Sequence, residues 1–144
     1  MKLVSCGLSD VGKKRDKNED SLVVDEGLGL FVVADGMGGH LGGEYASQLA
    51  VKTIQEVMAQ LKRDPEGTTP WGKPPRPEPA EQLKFSVRIA SQKIFREANR
   101  IPSLRGMGTT VVALLVRDQK GYFANVGDSR AYLVRPTEIK QLTV

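Results

Sequence analysis

Leu28-Gly29-Leu30-Phe31-Val32-Val33-Ala34 runs straight into Asp35-Gly36-Met37-Gly38-Gly39-His40, and this junction decides the fold. The apolar half barely alternates, so it predicts a strand buried on both faces. The second half is a glycine-rich turn that carries an acidic side chain at the strand's end. Upstream, Leu22 to Asp25 is another β-rich run, and the intervening Glu26-Gly27 reads as a hairpin. Downstream, Ala46, Leu49, Ala50, Ile54, Val57, Met58 and Leu61 recur at three- and four-residue steps, predicting a helix from about Gly43 to Leu61. Asp64 to Pro79 then holds six of the chain's eight prolines and is expected to be a loop. Two readings of that loop stand side by side, a disordered connector and a partner-contact site. A second helix from Pro79 to Asn99 carries Leu83, Val87, Ala90, Ile94 and Ala98 on one stripe, with proline suited to its first position. Strands are expected at Thr109 to Val116, Gly121 to Val126, Arg130 to Val134 and Ile139 to Val144, with a hairpin turn at Asp118-Gln119-Lys120-Gly121. The block order ββ-αα-ββββ favours an α+β fold with antiparallel sheet over an alternating parallel one.

The 144 residues are about one domain in length, and 40% hydrophobic with 26% charged is ordinary for a globular chain. The longest strictly apolar run, Val111 to Val116, is six residues, far short of the ~20 a membrane helix needs. The first residues, Met1-Lys2-Leu3-Val4-Ser5-Cys6-Gly7, lack the apolar core of a signal peptide. Cys6 is the single cysteine, so no intrachain disulfide forms and a cytoplasmic location is expected. Lys and Arg number 21 against 17 acids, a net +4. No stretch interleaves basic with aromatic residues, so neither nucleic acid nor membrane is an expected partner.

Several familiar sites are absent, among them a G-x-x-x-x-G-K-S/T phosphate loop, an H-E-x-x-H helix and spaced cysteines. Ser129 lacks the second glycine of a nucleophile elbow, and the only histidine is His40. Three carboxylate-bearing turns remain: Arg15-Asp16-Lys17-Asn18-Glu19-Asp20, Asp35-Gly36 at the end of the apolar strand, and Asp128 in Gly127-Asp128-Ser129. Acids at strand ends converge readily on one edge of a sheet, and hard cations such as Mg²⁺ and Mn²⁺ need few of them because they keep waters. Each turn also has a structural reading: Asp35 as the cap of the following helix, Asp128 as the shaper of a hairpin.

Four motifs lie in order across nearly the whole chain. They are Ser9-Asp10-Val11-Gly12 through Arg15 and Asn18-Glu19-Asp20; Val33 to His40 with Gly43-Glu44 and Ala46-Ser47; Gly106-Met107-Gly108-Thr109-Thr110; and Ala124 to Tyr132. Together they resemble the metal-dependent protein serine/threonine phosphatases of type 2C, in their compact bacterial form. The resemblance implies an antiparallel β-sandwich flanked by helices, with a two-metal centre at one end. It implies that Asp35 bridges two Mn²⁺ or Mg²⁺ ions and that the Gly36 carbonyl binds one. Glu19 and Asp20 would hold metal-bound waters, and Asp128 would serve a weaker third metal. Arg15 would grip the phosphate of a phosphoprotein substrate, where its planar fork suits the oxygens. His40 is either the general acid for the leaving alkoxide or a surface residue opening the loop into the helix. Met37 is expected to pack, since a thioether is a poor ligand for hard ions.

The sequence departs from the family's pattern at its carboxyl end. In type 2C phosphatases further strands and helices follow the segment ending Gln141-Leu142-Thr143-Val144, and they carry more aspartates for both metals. Residues 1–144 are therefore expected to be the amino-terminal part of a single phosphatase-like domain, with the Pro-rich loop at 64–79. Such a chain is expected to show little or no phosphatase activity by itself, and to self-associate through uncovered strand edges. The rival reading is a non-catalytic phosphatase-like module that binds or regulates.

Overall fold

In a computed structural model of the chain, which describes residues 1–38 and 41–144, the first hairpin joins β1 (Asp20–Asp25) to β2 (Leu30–Met37). Its turn closes because the Asp25 carboxylate accepts the Leu28 N–H at 3.0 Å and the Gly29 N–H donates to the Glu26 carbonyl at 3.1 Å. Gly29 has φ +65°, and a Cβ there would strike the Val116 carbonyl of a neighbouring strand. Strands β4 (Val111–Arg117) and β5 (Lys120–Val126) form a second hairpin. Asp118 and Gln119 turn it with φ of 51° and 64°, the left-handed pair that matches strand twist.

The antiparallel sheet runs β1-β2-β4-β5, with the short β3 (Gly108–Thr109) paired to the far end of β2. β6 (Tyr132–Arg135) and β7 (Glu138–Gln141) make a separate two-stranded sheet. Helices α1 (Gly42–Arg63) and α2 (Pro79–Arg100) cover one face of the larger sheet. They run antiparallel, so that the Tyr45 hydroxyl donates to Glu97 at 3.3 Å across their meeting ends. The core interleaves Leu30, Val32 and Ala34 of β2 with Ala113 and Leu115 of β4, Ile54, Met58 and Leu61 of α1, and Leu83 and Ile89 of α2. The α+β antiparallel expectation holds. Among the described residues no helix is long and apolar enough to cross a membrane.

Three expectations need correction. β2 is not buried on both faces: Leu30, Val32 and Ala34 point into the helices, while Val33 on the other side is 47% exposed. Helices cover only one side, and the other meets just Cys6–Leu8 and Arg130–Tyr132 around a cleft of about 420 Å³. The Asp35-Gly36 pair is not a turn but part of β2, because Gly36 and Met37 pair with Thr109 and Gly108. Finally, the Pro-rich loop is not a disordered connector. Trp71 packs on the core with Lys93 6.0 Å from its ring, and the buried Thr69 donates its hydroxyl to the Gly72 carbonyl at 2.5 Å. A tryptophan brings enough apolar surface to anchor a loop that is otherwise polar and proline-stiffened.

Candidate metal centre

The β1–β2 register sets Asp20 opposite Asp35, and residues facing each other across an antiparallel pair project from the same side. Partial burial first, then the neighbouring Asp35 carboxyl, hold the Asp20 carboxyl above its usual range, while the Arg15 guanidinium pulls it back down.

The backbone around the pair is fixed from several directions. Thr110 donates its N–H to the Asp35 carbonyl at 2.9 Å, and its hydroxyl accepts the Asp35 N–H at 3.0 Å. That hydroxyl also lies 2.5 Å from the Ser129 hydroxyl, tying Asp35 to the Gly127–Ser129 turn. The Gly36 N–H donates to the Glu19 carbonyl at 3.1 Å. Asn18 accepts the Asp20 N–H at 3.0 Å and donates to Ser9 at 2.7 Å. Gly36 is needed where it stands, since a Cβ would run into the Gly43 carbonyl at the start of α1. The Glu19 carboxylate rests on that same first turn, 2.7 Å from where a Gly43 Cβ would sit, a favourable place for negative charge.

Arg15, Glu19, Asp35, Gly36 and Asp128 line one open cleft of about 630 Å³. Asp20 lines a smaller neighbouring cleft of about 270 Å³, and Asp35 belongs to both. The structure thus brings together five of the expected site residues and joins the sixth through Asp35. His40 lies outside the described residues. Asp35 does not cap α1, whose N-cap is Leu41 with no side-chain cap bond. Met37 does not pack: it is 56% exposed at the cleft rim. Thr110 is a cleft residue that the sequence did not single out, although Gly108-Thr109-Thr110 was visible as a motif; Lys17, paired with Glu44 at 2.7 Å, is another.

The donors are oxygens only: carboxylates of Asp20, Asp35, Glu19 and Asp128 and the backbone carbonyl of Gly36. Two carboxyls set opposite each other across paired strands are an arrangement that a hard divalent cation relieves. The chemistry of the set therefore fits Mg²⁺ or Mn²⁺. Among the described residues no three His, Cys, Asp or Glu side chains converge tightly enough to hold an ion unaided, so waters would complete the coordination.

Comparison with known proteins gives a consistent set of matches. A family model described as Protein phosphatase 2C matches residues 12–143. The serine/threonine protein phosphatase PstP of Mycobacterium tuberculosis is 38% identical over 135 residues, covering 94% of this chain and 23% of that protein. Protein phosphatase PhpP of Streptococcus pneumoniae is 34% identical over 139 residues, covering 94% of this chain and 52% of that protein. A crystal structure of the PstP catalytic domain in complex with two manganese ions superposes with a TM-score of 0.76 at 34% identity, covering 94% of this chain and 53% of that one. The chain spans about half, or less, of the length of these relatives.

Proposed function

Because the chain belongs to the protein phosphatase 2C family, we infer that it serves the metal-dependent hydrolysis of phosphoserine and phosphothreonine in proteins. The pairing of Asp20 with Asp35 across β1 and β2, with Asp35 in the cleft that Arg15 also lines, carries this reading. Asp35 and the Gly36 carbonyl are the inner donors to Mn²⁺ or Mg²⁺. Glu19 and Asp20 accept hydrogen bonds from waters in the clefts, and Asp128 serves a third, weaker cation position. When bound, a pair of such ions acidifies a water near neutral pH and offsets charge growing on the phosphoryl oxygens. A manganese pair in the related PstP domain supports that stoichiometry.

Arg15 is exposed at the cleft wall and offers two parallel N–H donors to phosphate oxygens. His40 follows the Asp35 strand in sequence and is assigned the proton for the departing serine or threonine oxygen. No side chain has to form a covalent bond to phosphorus. Mn²⁺-dependent phosphate release from a phosphothreonine peptide by the protein carrying this sequence, abolished by Asp35→Asn, is the test. Release that Asp35→Asn leaves undiminished overturns the assignment.

A second reading is a non-catalytic module that binds or regulates. It is favoured by the lack, among the described residues, of three converging ligating side chains. On the same ground the 144-residue polypeptide by itself is assigned weak cation binding and little turnover. Its exposed sheet face is assigned to self-association, and the lone Cys6 accords with a reducing cytoplasmic setting.

A further inference from the structure

At the end of the helix layer remote from Asp35, the Pro-rich loop and the first turns of α2 enclose a groove of about 620 Å³. Helix α1 carries the chain 22 residues away from the metal centre before the loop begins, which at ~1.5 Å per residue is roughly 30 Å. Lys73 and Arg76 reach the groove from the loop, and Lys84 and Arg88 from α2, against the single carboxylate of Glu81. All four cations are exposed, and among the described residues none forms a salt bridge. Phe85, only 4% exposed, forms the floor, and the Arg88 guanidinium is held 5.3 Å above its ring. Pro74 and Pro75 form a stiff wall.

Four unpaired cations in a concave site concentrate field and attract a flexible anionic chain. We propose that this groove docks an acidic segment of a protein partner, through Lys73, Arg76, Lys84 and Arg88. A single-stranded nucleic acid would need exposed aromatic rings for its bases, and the groove's one ring is buried beneath Arg88. A membrane surface would need a convex apolar face flanked by cations, and this site is a cleft. The choice of a protein partner rests on the phosphatase reading; the electrostatics of the groove does not. An acidic stretch held here places neighbouring residues of the same polypeptide within reach of the metal centre and raises their effective concentration there.

The probe is a fluorescein-labelled ten-residue peptide of alternating glutamate and aspartate, titrated with the full chain by fluorescence anisotropy at low and physiological salt. Expected is saturable, salt-weakened binding, reduced at least about tenfold by Lys84→Glu/Arg88→Glu and likewise by Lys73→Glu/Arg76→Glu. The two pairs sit on different elements, so circular dichroism matching the parent in either pair suffices to read the result. Asp35→Asn is expected to leave peptide affinity unchanged, which separates failure of the groove from failure of the hydrolytic reading. Equal affinity in both charge-reversed pairs overturns the proposal. So does tighter binding of a ten-nucleotide single strand or of anionic phospholipid vesicles at the same site.

Discussion

Asp20 and Asp35 are register partners across β1 and β2, and the charge of Asp35 helps hold the Asp20 carboxyl above its ordinary range. Like-charged neighbours of this kind oppose folding and are kept in place by the strands that carry them. Asp35→Asn removes one charge at nearly constant shape. It is expected to leave metal-free thermal stability unchanged or slightly raised, while abolishing the stabilisation that millimolar MnCl₂ gives the parent chain. Thermal scans with and without Mn²⁺ measure both effects, and an undiminished Mn²⁺ shift in the variant contradicts the ligand role.

Thr110 is 4% exposed, and its hydroxyl serves both the Asp35 N–H and Ser129. Thr110→Val keeps the volume but leaves the Asp35 N–H without its acceptor. Loss of about 1 kcal/mol follows from a part-buried bond whose donor is left without its acceptor, read as a lower urea midpoint. Ser129→Ala is expected to cost less, because the Thr110 hydroxyl keeps the Asp35 bond. In the double variant the two losses should fall short of their sum, as for any pair sharing one network.

Most of the helical layer is legible in the sequence, since Ala46, Ala50, Ile54, Met58 and Leu61 recur at helical spacing and all are buried on one side of α1. The apolar run of β2 misleads because periodicity counts apolar residues without knowing what covers them. Val33 is as apolar as Val32, yet only one of the two meets a helix. Asp35-Gly36 reads locally as a turn, and its place in a strand depends on Thr109 pairing from a distant part of the chain. The Thr110–Asp35 bond spans 75 residues and leaves no local signal. In the Pro-rich loop the proline count hides Trp71, whose packing against the core determines the loop's course.

Gly36 passes so close to Gly43 that a methyl group on Gly36 runs into backbone, whereas one on Gly43 meets only the movable end of the Glu19 side chain. Gly36→Ala is expected to cost about 3 kcal/mol or more, since backbone must move to admit the methyl group. Gly27→Ala is the matched control. Its Cβ would find only the Asp25 carboxylate, at 3.5 Å, and the change is expected to stay within about 1 kcal/mol. Chemical denaturation of the two variants side by side decides the point, and equal midpoints refute the close-packing account.

Asp25 holds the first hairpin by accepting from Gln55 Nε2 and from the Leu28 N–H, both at 3.0 Å. Those two bonds, the Gln55 one foremost, keep its carboxyl below the ordinary value of 3.8. A depressed carboxyl stabilises the fold above its unfolded value and loses that contribution as pH falls through the folded one. Asp25→Asn is therefore expected to lower stability by about 1 kcal/mol at neutral pH, an amount kept small by solvent screening. The difference should vanish in acid, once pH has fallen through the lowered folded value. Urea midpoints at both pH values test it, and a gap that persists in acid assigns the effect to shape rather than charge.

The sheet face turned away from the helices presents Val24, Val33 and Phe123, at 40%, 47% and 46% exposure. Beside it the β6–β7 hairpin exposes Tyr132, Val134 and Ile139 to 50%, 67% and 73%. Apolar surface between strands whose outer edges at β1 and β5 are unpaired among the described residues favours association over solvation. The chain is expected to dimerise or assemble further at micromolar concentration in sedimentation experiments. Val33→Lys/Phe123→Lys places two charges on that face without touching the helix-side core, and should return a folded monomer. A parent chain that sediments as a monomer throughout the micromolar range removes the association claim, whichever way the variant behaves.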